Sequence, residues 1–424
     1  MSAGADLGRV DREVEVLVVG AGPSGLAAAT ALAQAGVGGV EVVEREQHAG
    51  GIPRHCVHLG YGIRDLHRMM TGPAYAKLGV KHAADAGVSI RTGVSVTGWS
   101  GPLTFDLTAP TGLERIQARA VVLATGARER PRAARLVAGS RPRGVFTTGE
   151  LQQAVYLKNQ SIGHRAVIVG AEHVSFSAVL TLAHAGVQVA AMVTEFPRHQ
   201  TLAAVRFGIR ARHPFSLLTD SRVARIIGRG RVEAVEVVTG AGRRIRIPCD
   251  TVVFTGNWIP DHELARRGGV ELDSGTKGPA VSPDLRTSLP GVFAVGNLTH
   301  PVLSADLAAL DGRYVAAAVL RHLEGRQGSG DSVSLRVEQP LRWVSPNRLR
   351  APSSPARQSF QLWSDEFVAR PTIKVVQGNR LLHSQRLRRD LVPQRPSRLD
   401  STWCESADVA GPAVVIRING YQPN

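Results

Sequence analysis

Two stretches of this sequence repeat one order of strand, glycine turn, helix and strand, and this repeat constrains the fold more than any other feature. The first copy reads EVEVLVVGAGPSGLAAATALAQAGVGGVEVVERE, and the second reads HRAVIVGAEHVSFSAVLTLAHAGVQVAAMVTE. In each copy a β-branched run ends at a glycine, Gly20 or Gly170, and a second apolar run ends at Glu44 or Glu195. The glycine and the acid are 24 positions apart in the first copy and 25 in the second. Because parallel strands need a crossover helix, the duplication predicts two doubly wound α/β domains.

The segments around the two copies add further elements. A buried-type strand with a small-residue turn, ARAVVLATGARERPR, lies between the copies, and similar strands occur in CDTVVFTGNWIPD and SLPGVFAVGNLTH after the second copy. From Glu324 the composition changes to a linker-like EGRQGSGDS, and later to short alternating runs such as TIKVVQ and AVVIRI. These runs predict a small β-rich domain at the C-terminal end.

The composition excludes several classes of protein. A chain of 424 residues with 43% hydrophobic and 20% charged residues is typical of a globular protein with two or three domains. No apolar run is long enough to span a membrane, and the N-terminal segment lacks a signal-peptide pattern, so we expect a cytoplasmic protein. The three cysteines are far apart and form no CxxC pair, which predicts neither a disulfide framework nor a metal site.

The net charge of +16 raises the question of a nucleic-acid partner. The excess is mostly arginine and is spread along the chain, with RLRRD at 386–390 as the one tight cluster. No aromatic residues that could stack on bases are interleaved with that cluster. We therefore predict no nucleic-acid binding, and interpret the charge as an arginine bias or as a basic face towards anionic cofactors and partners.

The first glycine turn, VGAGPSG, has the pattern of a phosphate-binding loop. Gly20 permits the tight turn, Gly22 lets backbone N–H groups approach a pyrophosphate, and Gly25 lets the helix and strand pack closely. The helix begins near Pro23, and its positive end faces the phosphate. Glu44 can accept hydrogen bonds from both hydroxyls of an adenosine ribose. The alternative is a tight turn in a fold that has lost its ligand.

This turn resembles that of the two-dinucleotide-domain flavoproteins, the family that includes glutathione and thioredoxin reductases. Three further stretches are similar to that family: ERE followed by paired glycines at 44–51, ATG at 124–126 and VFAVGN at 292–297. The resemblance covers about residues 12–325 and implies FAD. The residues that it assigns to FAD are Gly20, Gly22, Pro23, Ser24, Gly25, Glu44, Arg45, Gly51, Ala124, Thr125, Gly126, Gly296 and Asn297.

The resemblance also implies how the domains are ordered. The FAD domain is expected to be discontinuous, at 12–150 and 276–325, with a second dinucleotide-type domain inserted at 151–275 and the β-rich domain at 331–424. The predicted fold class is therefore α/β, with two Rossmann-like three-layer domains and a small β-rich C-terminal domain.

More specifically, GGIPRHCVHLGYGIRDLHRMMTGPAY and VIVGAEHVSFSAVLTLAHAGV resemble the FAD subunits of amine and amino-acid dehydrogenase complexes. These include the hydrogen cyanide synthase, opine oxidase and sarcosine oxidase groups. The resemblance implies a partner flavoprotein that oxidises the substrate, and a small iron–sulfur subunit. Many such relatives carry a cysteine-rich cluster-binding segment after the FAD domain, whereas this chain has only Cys404 there, too few ligands for a [2Fe–2S] cluster.

Two other departures from the family pattern bear on the chemistry. VFAVGN ends in Asn297 where the family usually has an acid, and an amide can still bond ribityl hydroxyls. The chain has no CxxC or CxxxxC, so we predict that it is not a disulfide reductase.

Arg54 and Cys56, in PRHCVH soon after Gly51, are the candidate catalytic residues. The Cys56 thiol could attack a substrate or the flavin, or could be an inert buried sulfur. Arg54 could stabilise a reduced flavin anion or bind a substrate carboxylate, or could have only a structural role. The neighbouring His55 and His58 are too close in sequence to close round one metal ion with the cysteine.

Four further residues have two interpretations each. Asp306 and Asp311 could be helix caps or contacts at the flavin edge, whereas Trp258 and His262 could line a pocket or belong to the core.

The second turn, VGAEHVS, departs from the glycine pattern at two places. Glu172 replaces the second glycine, and Ser175 replaces the third. A carboxylate about 5 Å from a phosphate would repel it by about 3 kcal/mol at an effective dielectric near 20. This turn therefore disfavours NAD(P) in the usual pose unless Glu172 points outward, although Glu195 could still bind a ribose. A domain that changed its ligand, or became a docking surface, fits best.

The sequence thus predicts an FAD-dependent oxidoreductase that takes electrons from an amine or amino-acid-like small molecule, directly or through a partner subunit. Two alternatives stay open. One is an NAD(P)H-dependent flavin or electron-transfer reductase, and the other is an assembly subunit with a structural FAD. We also expect an oligomer.

Overall fold

The computed structural model describes residues 9–326, 331–350 and 359–422. The chain forms two compact units. The first unit contains the N-terminal segment to Arg54, Leu59–Ala127 and Pro260–Asn424, and the second unit contains His55–His58 and Arg128–Ile259. Residues 327–330, which belong to the expected linker, and residues 351–358 lie outside the described residues.

The first unit begins with a strand–helix–strand unit on a mainly parallel sheet. Its elements up to the second unit are β1 (Val10–Val19), α1 (Pro23–Gln34), β2 (Val40–Glu44), β3 (Leu59–Tyr61), β4 (Met70–Thr71), α2 (Gly72–Asp85), β5 (Ser89–Thr92), β6 (Ser95–Gly101), β7 (Thr104–Ala109) and β8 (Gly112–Leu123). The apolar run that ends β1 is fully buried, and β1 is an inner strand that pairs in parallel with β2 and with β8. A strand that is buried on both faces of its sheet has a continuous apolar run rather than an alternating one.

The second unit repeats this plan. Its elements, with the two short strands in which the chain passes between the units, are β9 (Ala127–Glu129), β10 (Ala138–Gly139), β11 (Val145–Thr147), α3 (Thr148–Gln152), β12 (Arg165–Val169), α4 (His173–His184), β13 (Gln188–Val193), α5 (Ala203–Arg212), β14 (Ser216–Leu218), β15 (Ser221–Ile227), β16 (Ala234–Thr239), β17 (Arg244–Pro248), β18 (Thr251–Phe254) and β19 (Trp258–Pro260). One sheet is parallel, in the order β11-β18-β12-β13-β14, and a smaller sheet has the order β10-β15-β16-β17.

The chain then completes the first unit with α6 (Glu263–Arg267), β20 (Val292–Ala294) and α7 (Ala305–Leu323). β20 joins the sheet beside β8, giving the order β5-β2-β1-β8-β7-β6 with β20 also paired to β8. Helix α7 packs against α1 so closely that a methyl group on Gly312 would collide with the carbonyl oxygen of Ser24. The sheet of the first unit is therefore assembled from segments that precede and follow the second unit in the sequence.

The C-terminal segment of the first unit is built of strands. They are β21 (Ser332–Val337), β22 (Leu341–Ser345), β23 (Arg348–Arg350), β24 (Ser359–Ser364), β25 (Thr372–Gln377), β26 (Arg380–Arg386), β27 (Ser397–Asp400) and β28 (Val414–Ile418). They form the sheets β23-β21-β28-β25-β26 and β22-β24-β27, around a core of their own in which Phe360 stacks on Trp403 at 5.0 Å. The predicted α/β class with two Rossmann-like sheets and a strand-rich C-terminal region is confirmed, whereas the exact domain boundaries stay predictions.

An ionic network at the amino-terminal ends of the parallel strands accounts for part of the arginine content. Arg12 bonds Glu41 at 2.6 Å, and Arg91 bonds Glu114 at 2.6 Å and Glu41 at 3.1 Å. Both glutamates are buried, so the two arginines compensate charges that would otherwise be costly to bury.

Candidate functional site

Three chain segments meet at the carboxyl ends of the parallel strands β1, β8 and β20. The Ala124 N–H donates to Val19 O at 2.8 Å, and the Val295 N–H donates to Leu123 O at 3.0 Å. The stretches that follow these strands, the glycine turn, ATG and GN, are therefore neighbours. The crevice beyond the carboxyl ends of parallel strands is where open α/β sheets bind ligands.

Glycine occurs at each of the three positions of the first turn for a different physical reason. Gly20 has φ +106°, a backbone conformation that only glycine adopts readily. A methyl group on Gly25 would collide with the carbonyl oxygen of Gly20, so the third glycine is required by packing. Gly22, in contrast, has an ordinary φ of −80° and open space around it. Because no side chain caps the helix that starts at Pro23, its N–H groups are left for an anion.

Glu44, the predicted ribose acid, is held in a fixed orientation. Its Oε2 accepts a hydrogen bond from the Ala21 N–H at 3.0 Å, and its Oε1 accepts one from the Glu46 N–H at 2.9 Å. Each oxygen keeps a lone pair that can accept a ribose hydroxyl. The neighbouring Arg45 is mostly exposed and lies 3.6 Å from Asp261.

The paired glycines and Gly296 close around the first turn. The Gly50 N–H donates to Ala21 O at 2.8 Å, and a methyl group on Gly51 would lie 2.9 Å from the Cα of Gly22. A methyl group on Gly296 would lie 2.6 Å from the Oγ of Ser24. Larger residues at these positions would fill the space beside the turn.

The side chains of Thr125 and Asn297 are engaged within the protein. Thr125 Oγ1 donates to Asp261 O at 2.7 Å, and the Asp261 N–H donates to Gly126 O at 2.8 Å. The Asn297 amide closes its own loop, because Nδ2 donates to Leu303 O at 3.1 Å and Oδ1 accepts from the Leu303 N–H at 2.7 Å. Its expected contact with ribityl hydroxyls stays a prediction.

Arg54 and Cys56, the candidate catalytic residues, fall in different units. Arg54 is largely buried and forms an ion pair with Glu46, so part of its charge is already compensated. The Cys56 thiol is buried in the second unit and donates to Gln152 Oε1 at 3.2 Å, while Gln152 Nε2 donates to Ser177 Oγ at 3.0 Å.

The structure assigns a role to Asp306, which the sequence left open. Asp306, 1% exposed, accepts hydrogen bonds from the Gly62 N–H and the Arg64 N–H, each at 3.0 Å. It therefore fixes the loop between β3 and β4 to the first turn of α7. The sequence offered no signal for this role, because the partners are more than two hundred positions apart.

We expect the substitution Asp306→Ala to destabilise this loop by about 2 kcal/mol, since two backbone donors lose a charged acceptor. Hydrogen exchange at the amides of Gly62 and Arg64 measures the effect, and both should exchange faster. Asp85→Ala is the matched control, because that carboxylate is exposed and forms an ion pair with Lys81 within α2. Unchanged protection in Asp306→Ala would contradict the assignment.

The second turn has nearly the same backbone conformation as the first but different side chains. Gly170 has φ +132°, and Glu172 has φ −85° and ψ −178°, close to the −80° and −176° of Gly22. The Glu172 side chain points inward and is only 4% exposed. Ser175 is fully buried, and its Oγ lies 2.7 Å from Thr255 Oγ1. Glu195, the expected second ribose acid, is exposed at the end of β13.

Beside this turn lie two charged residues that the sequence did not single out. Glu129 is 7% exposed, and its Oε2 accepts from the Gly149 N–H at 2.8 Å. Burial, reinforced by the charge of Glu172, raises the pKa of Glu129 to about 7. Arg135 donates to Thr255 O at 2.7 Å and to Gly256 O at 2.9 Å. Both residues lie in ARERPRAAR after the ATG turn, where only their charge was visible.

A family model described as pyridine nucleotide-disulphide oxidoreductase matches residues 14–315. The chain belongs to that family. Membership implies an FAD cofactor. The open Gly22, the uncapped helix terminus and the oriented Glu44 carboxylate fit its pyrophosphate and ribose.

Several curated relatives of this family are similar over most of the chain. An opine oxidase subunit of Agrobacterium tumefaciens (strain Ach5) is 27% identical, over 82% of this chain and 73% of its own length. The alpha subunit of sarcosine oxidase from Rhizobium meliloti (strain 1021) is 28% identical over 73% of this chain, which spans only 30% of that protein. A ferredoxin–NADP reductase of Salinispora arenicola (strain CNS-205) is 28% identical, over 73% of this chain and 93% of its own. The expected resemblance to this superfamily and to amine-oxidising subunits is confirmed.

Among solved structures, the thioredoxin reductase of T. acidophilum superposes with a TM-score of 0.63 at 24% identity, over 74% of this chain and 100% of its own. At this identity the match shows the fold alone. It agrees with the two Rossmann-like sheets described above.

Two further observations concern the part of the chain that the structure describes. No group of three or more His, Cys, Asp or Glu residues is placed there to hold a metal ion. No helix in the same residues has the length and apolar character needed to cross a bilayer.

Proposed function

We propose that this FAD-dependent oxidoreductase oxidises an amine or amino-acid-like substrate, or relays its electrons within a multi-subunit dehydrogenase. The observation that carries the proposal is the contrast between the turns. The first is open and lined by glycine, whereas the second holds a buried carboxylate where a nicotinamide dinucleotide would place its pyrophosphate. The similarity to the opine oxidase and sarcosine oxidase proteins supports an amine-type electron donor.

In this proposal the residues of the first unit bind and orient the cofactor. The N–H groups at the start of α1 bind the pyrophosphate, and the Glu44 carboxylate orients the ribose through its hydroxyls. Gly51 and Gly296 leave room beside the turn, and the Asp306 contacts hold a loop next to α7. FAD, when bound, supplies the acceptor for two electrons from the substrate.

A disulfide reductase is a poorer interpretation of these residues. Cys56, Cys249 and Cys404 are all buried and form no disulfide in the described part of the chain. Burial raises the pKa of Cys249 to about 11 and that of Cys404 to about 12, which keeps both as unreactive thiols at neutral pH. We therefore propose that the chain does not reduce disulfides.

We also propose that the chain works as one subunit of a complex. The curated relatives named as opine oxidase and sarcosine oxidase are subunits by name. A second flavoprotein would oxidise the substrate and pass on its two electrons. A small iron–sulfur subunit would carry them onward, because Cys404 alone cannot ligate a cluster.

Anaerobic reduction of the purified flavoprotein tests the electron donor. NADH, NADPH and a panel of amino acids, sarcosine and opines are mixed with the protein, and bleaching of the flavin absorbance is followed. The proposal predicts reduction by a member of the amine panel, alone or after a partner subunit is added, and slow reduction by both nicotinamides. Rapid bleaching by NADPH with no response to any amine would reject it.

The similarity to a ferredoxin–NADP reductase favours one alternative, an NAD(P)H-dependent electron-transfer reductase. The same experiment separates the two, because that function requires fast reduction by a nicotinamide. A protein whose FAD is only structural would respond to no donor, even with its partner present.

A further inference from the structure

The two turns of this chain provide an internal comparison at one position. Gly22 and Glu172 are both the residue before the helix, with nearly identical backbone angles. Neither φ lies in the left-handed region, so the glutamate is not strained. The only large difference is therefore the side chain, and its position decides what the second turn can bind.

The Glu172 side chain folds back over its own turn. A methyl group placed on Gly170 would lie 2.7 and 3.0 Å from the two carboxylate oxygens. Among the residues that the structure describes, neither oxygen has a hydrogen-bond partner, although both are buried. A buried carboxylate thus lies on the turn, at the start of α4, where the anion of a bound ligand would otherwise lie.

Glu172 lies near a second acid and an arginine. The charges of Glu172 and Glu129 both act on the Arg135 guanidinium, which is held in place by the Thr255 and Gly256 carbonyls. Adding a dinucleotide pyrophosphate beside these two buried acids would place more negative charge in a buried site. Ser175, at the position that corresponds to Gly25, is fully buried, and its Oγ lies 2.7 Å from Thr255 Oγ1.

We propose that the Glu172 side chain is the resident occupant of the second turn, where its carboxylate replaces a dinucleotide pyrophosphate and closes the turn to NAD(P). The glutamate is thus the residue that sets ligand selectivity in the second unit. This proposal does not rest on the amine substrate, because it concerns binding rather than flavin reduction.

Titration of the FAD-loaded protein with NADH and NADPH, by calorimetry, tests it. Wild type should bind both nucleotides only weakly, whereas Glu172→Gly should bind a nicotinamide dinucleotide about a hundredfold more tightly than wild type. Glu172→Gln keeps the bulk without the charge and should bind at least tenfold more weakly than Glu172→Gly. Unchanged thermal unfolding and FAD content show that the variants are folded.

Three results would overturn the proposal: micromolar binding by wild type, no gain in Glu172→Gly, or equal affinity in Glu172→Gln and Glu172→Gly. The reciprocal variant Gly22→Glu provides a test that does not depend on folding of the second-unit variants. It should purify without FAD, and full FAD content in Gly22→Glu would equally contradict the proposal. The amine-donor experiment can fail while all these binding results hold, so the two proposals are distinguishable.

Discussion

The substitution Gly25→Ala is expected to destabilise the first unit by about 3 kcal/mol, at the upper end of the usual cost of overpacking. The added methyl group would collide with the Gly20 carbonyl oxygen and would lie 3.2 Å from the Ala124 Cβ. Because the colliding atom is backbone, the clash cannot be relieved by a change of rotamer. Denaturant unfolding of the FAD-free protein measures the loss.

For the matched variant Gly22→Ala we expect the opposite result, in which stability is kept and FAD affinity falls. Its methyl group meets no protein atom within 4 Å, so the FAD-free protein should keep its stability to within about 1 kcal/mol. The same methyl group projects into the space reserved for the pyrophosphate, and FAD affinity should fall at least tenfold. Flavin content after purification and fluorescence titration with FAD measure this. Equal effects of the two variants on both quantities would contradict the separate roles of these glycines.

The second prediction concerns Glu129, whose pKa burial raises from an ordinary 4.5 to about 7. Between these pH values the folded state binds a proton that the unfolded state has released, so stability falls as the pH rises through this range. At 1.36 kcal/mol for each pKa unit, the loss amounts to about 3 kcal/mol and is complete above the folded pKa. The second unit should therefore be more stable at pH 5 than at pH 8.

Hydrogen exchange at the buried amides of β12 and β18, corrected for intrinsic rates, measures this stability at the two pH values. Glu129→Gln should abolish most of the pH dependence, because an amide can accept the Gly149 N–H without titrating. Glu195→Gln is the control, since that acid is exposed in the same unit and its loss should leave the dependence unchanged. A wild-type stability that does not fall over this range, or that falls equally in Glu129→Gln, would contradict the raised pKa of Glu129.

The first turn could be predicted residue by residue because its determinants are local. Gly20, Gly22, Gly25 and Glu44 all lie within one strand–helix–strand unit, and the roles predicted for them rest on their spacing. The same locality identified Glu172 and Ser175 as departures from the pattern. The strand-rich C-terminal segment was likewise predicted from its alternation of apolar residues.

Other features depend on contacts between distant segments. The Asn297 amide bonds the Leu303 backbone because of the shape of the loop between them. The role in binding FAD that was expected for Asn297 does not predict these bonds. The Asp306 contacts join residues that only the packing of α7 brings together. The sequence alone left the role of Asp306 open between a helix cap and a contact at the flavin edge.

The sequence by itself determined that the chain carries two dinucleotide-type units and that only the first keeps its glycines, because these patterns are encoded by neighbours along the chain. The tertiary structure decided the direction of the Glu172 side chain, the burial of Glu129 and the position of Arg135. These depend on which strands lie side by side and on how much water remains between them. A charge in a sequence has a sign, but its energy is set by the solvent and partners that the fold leaves around it.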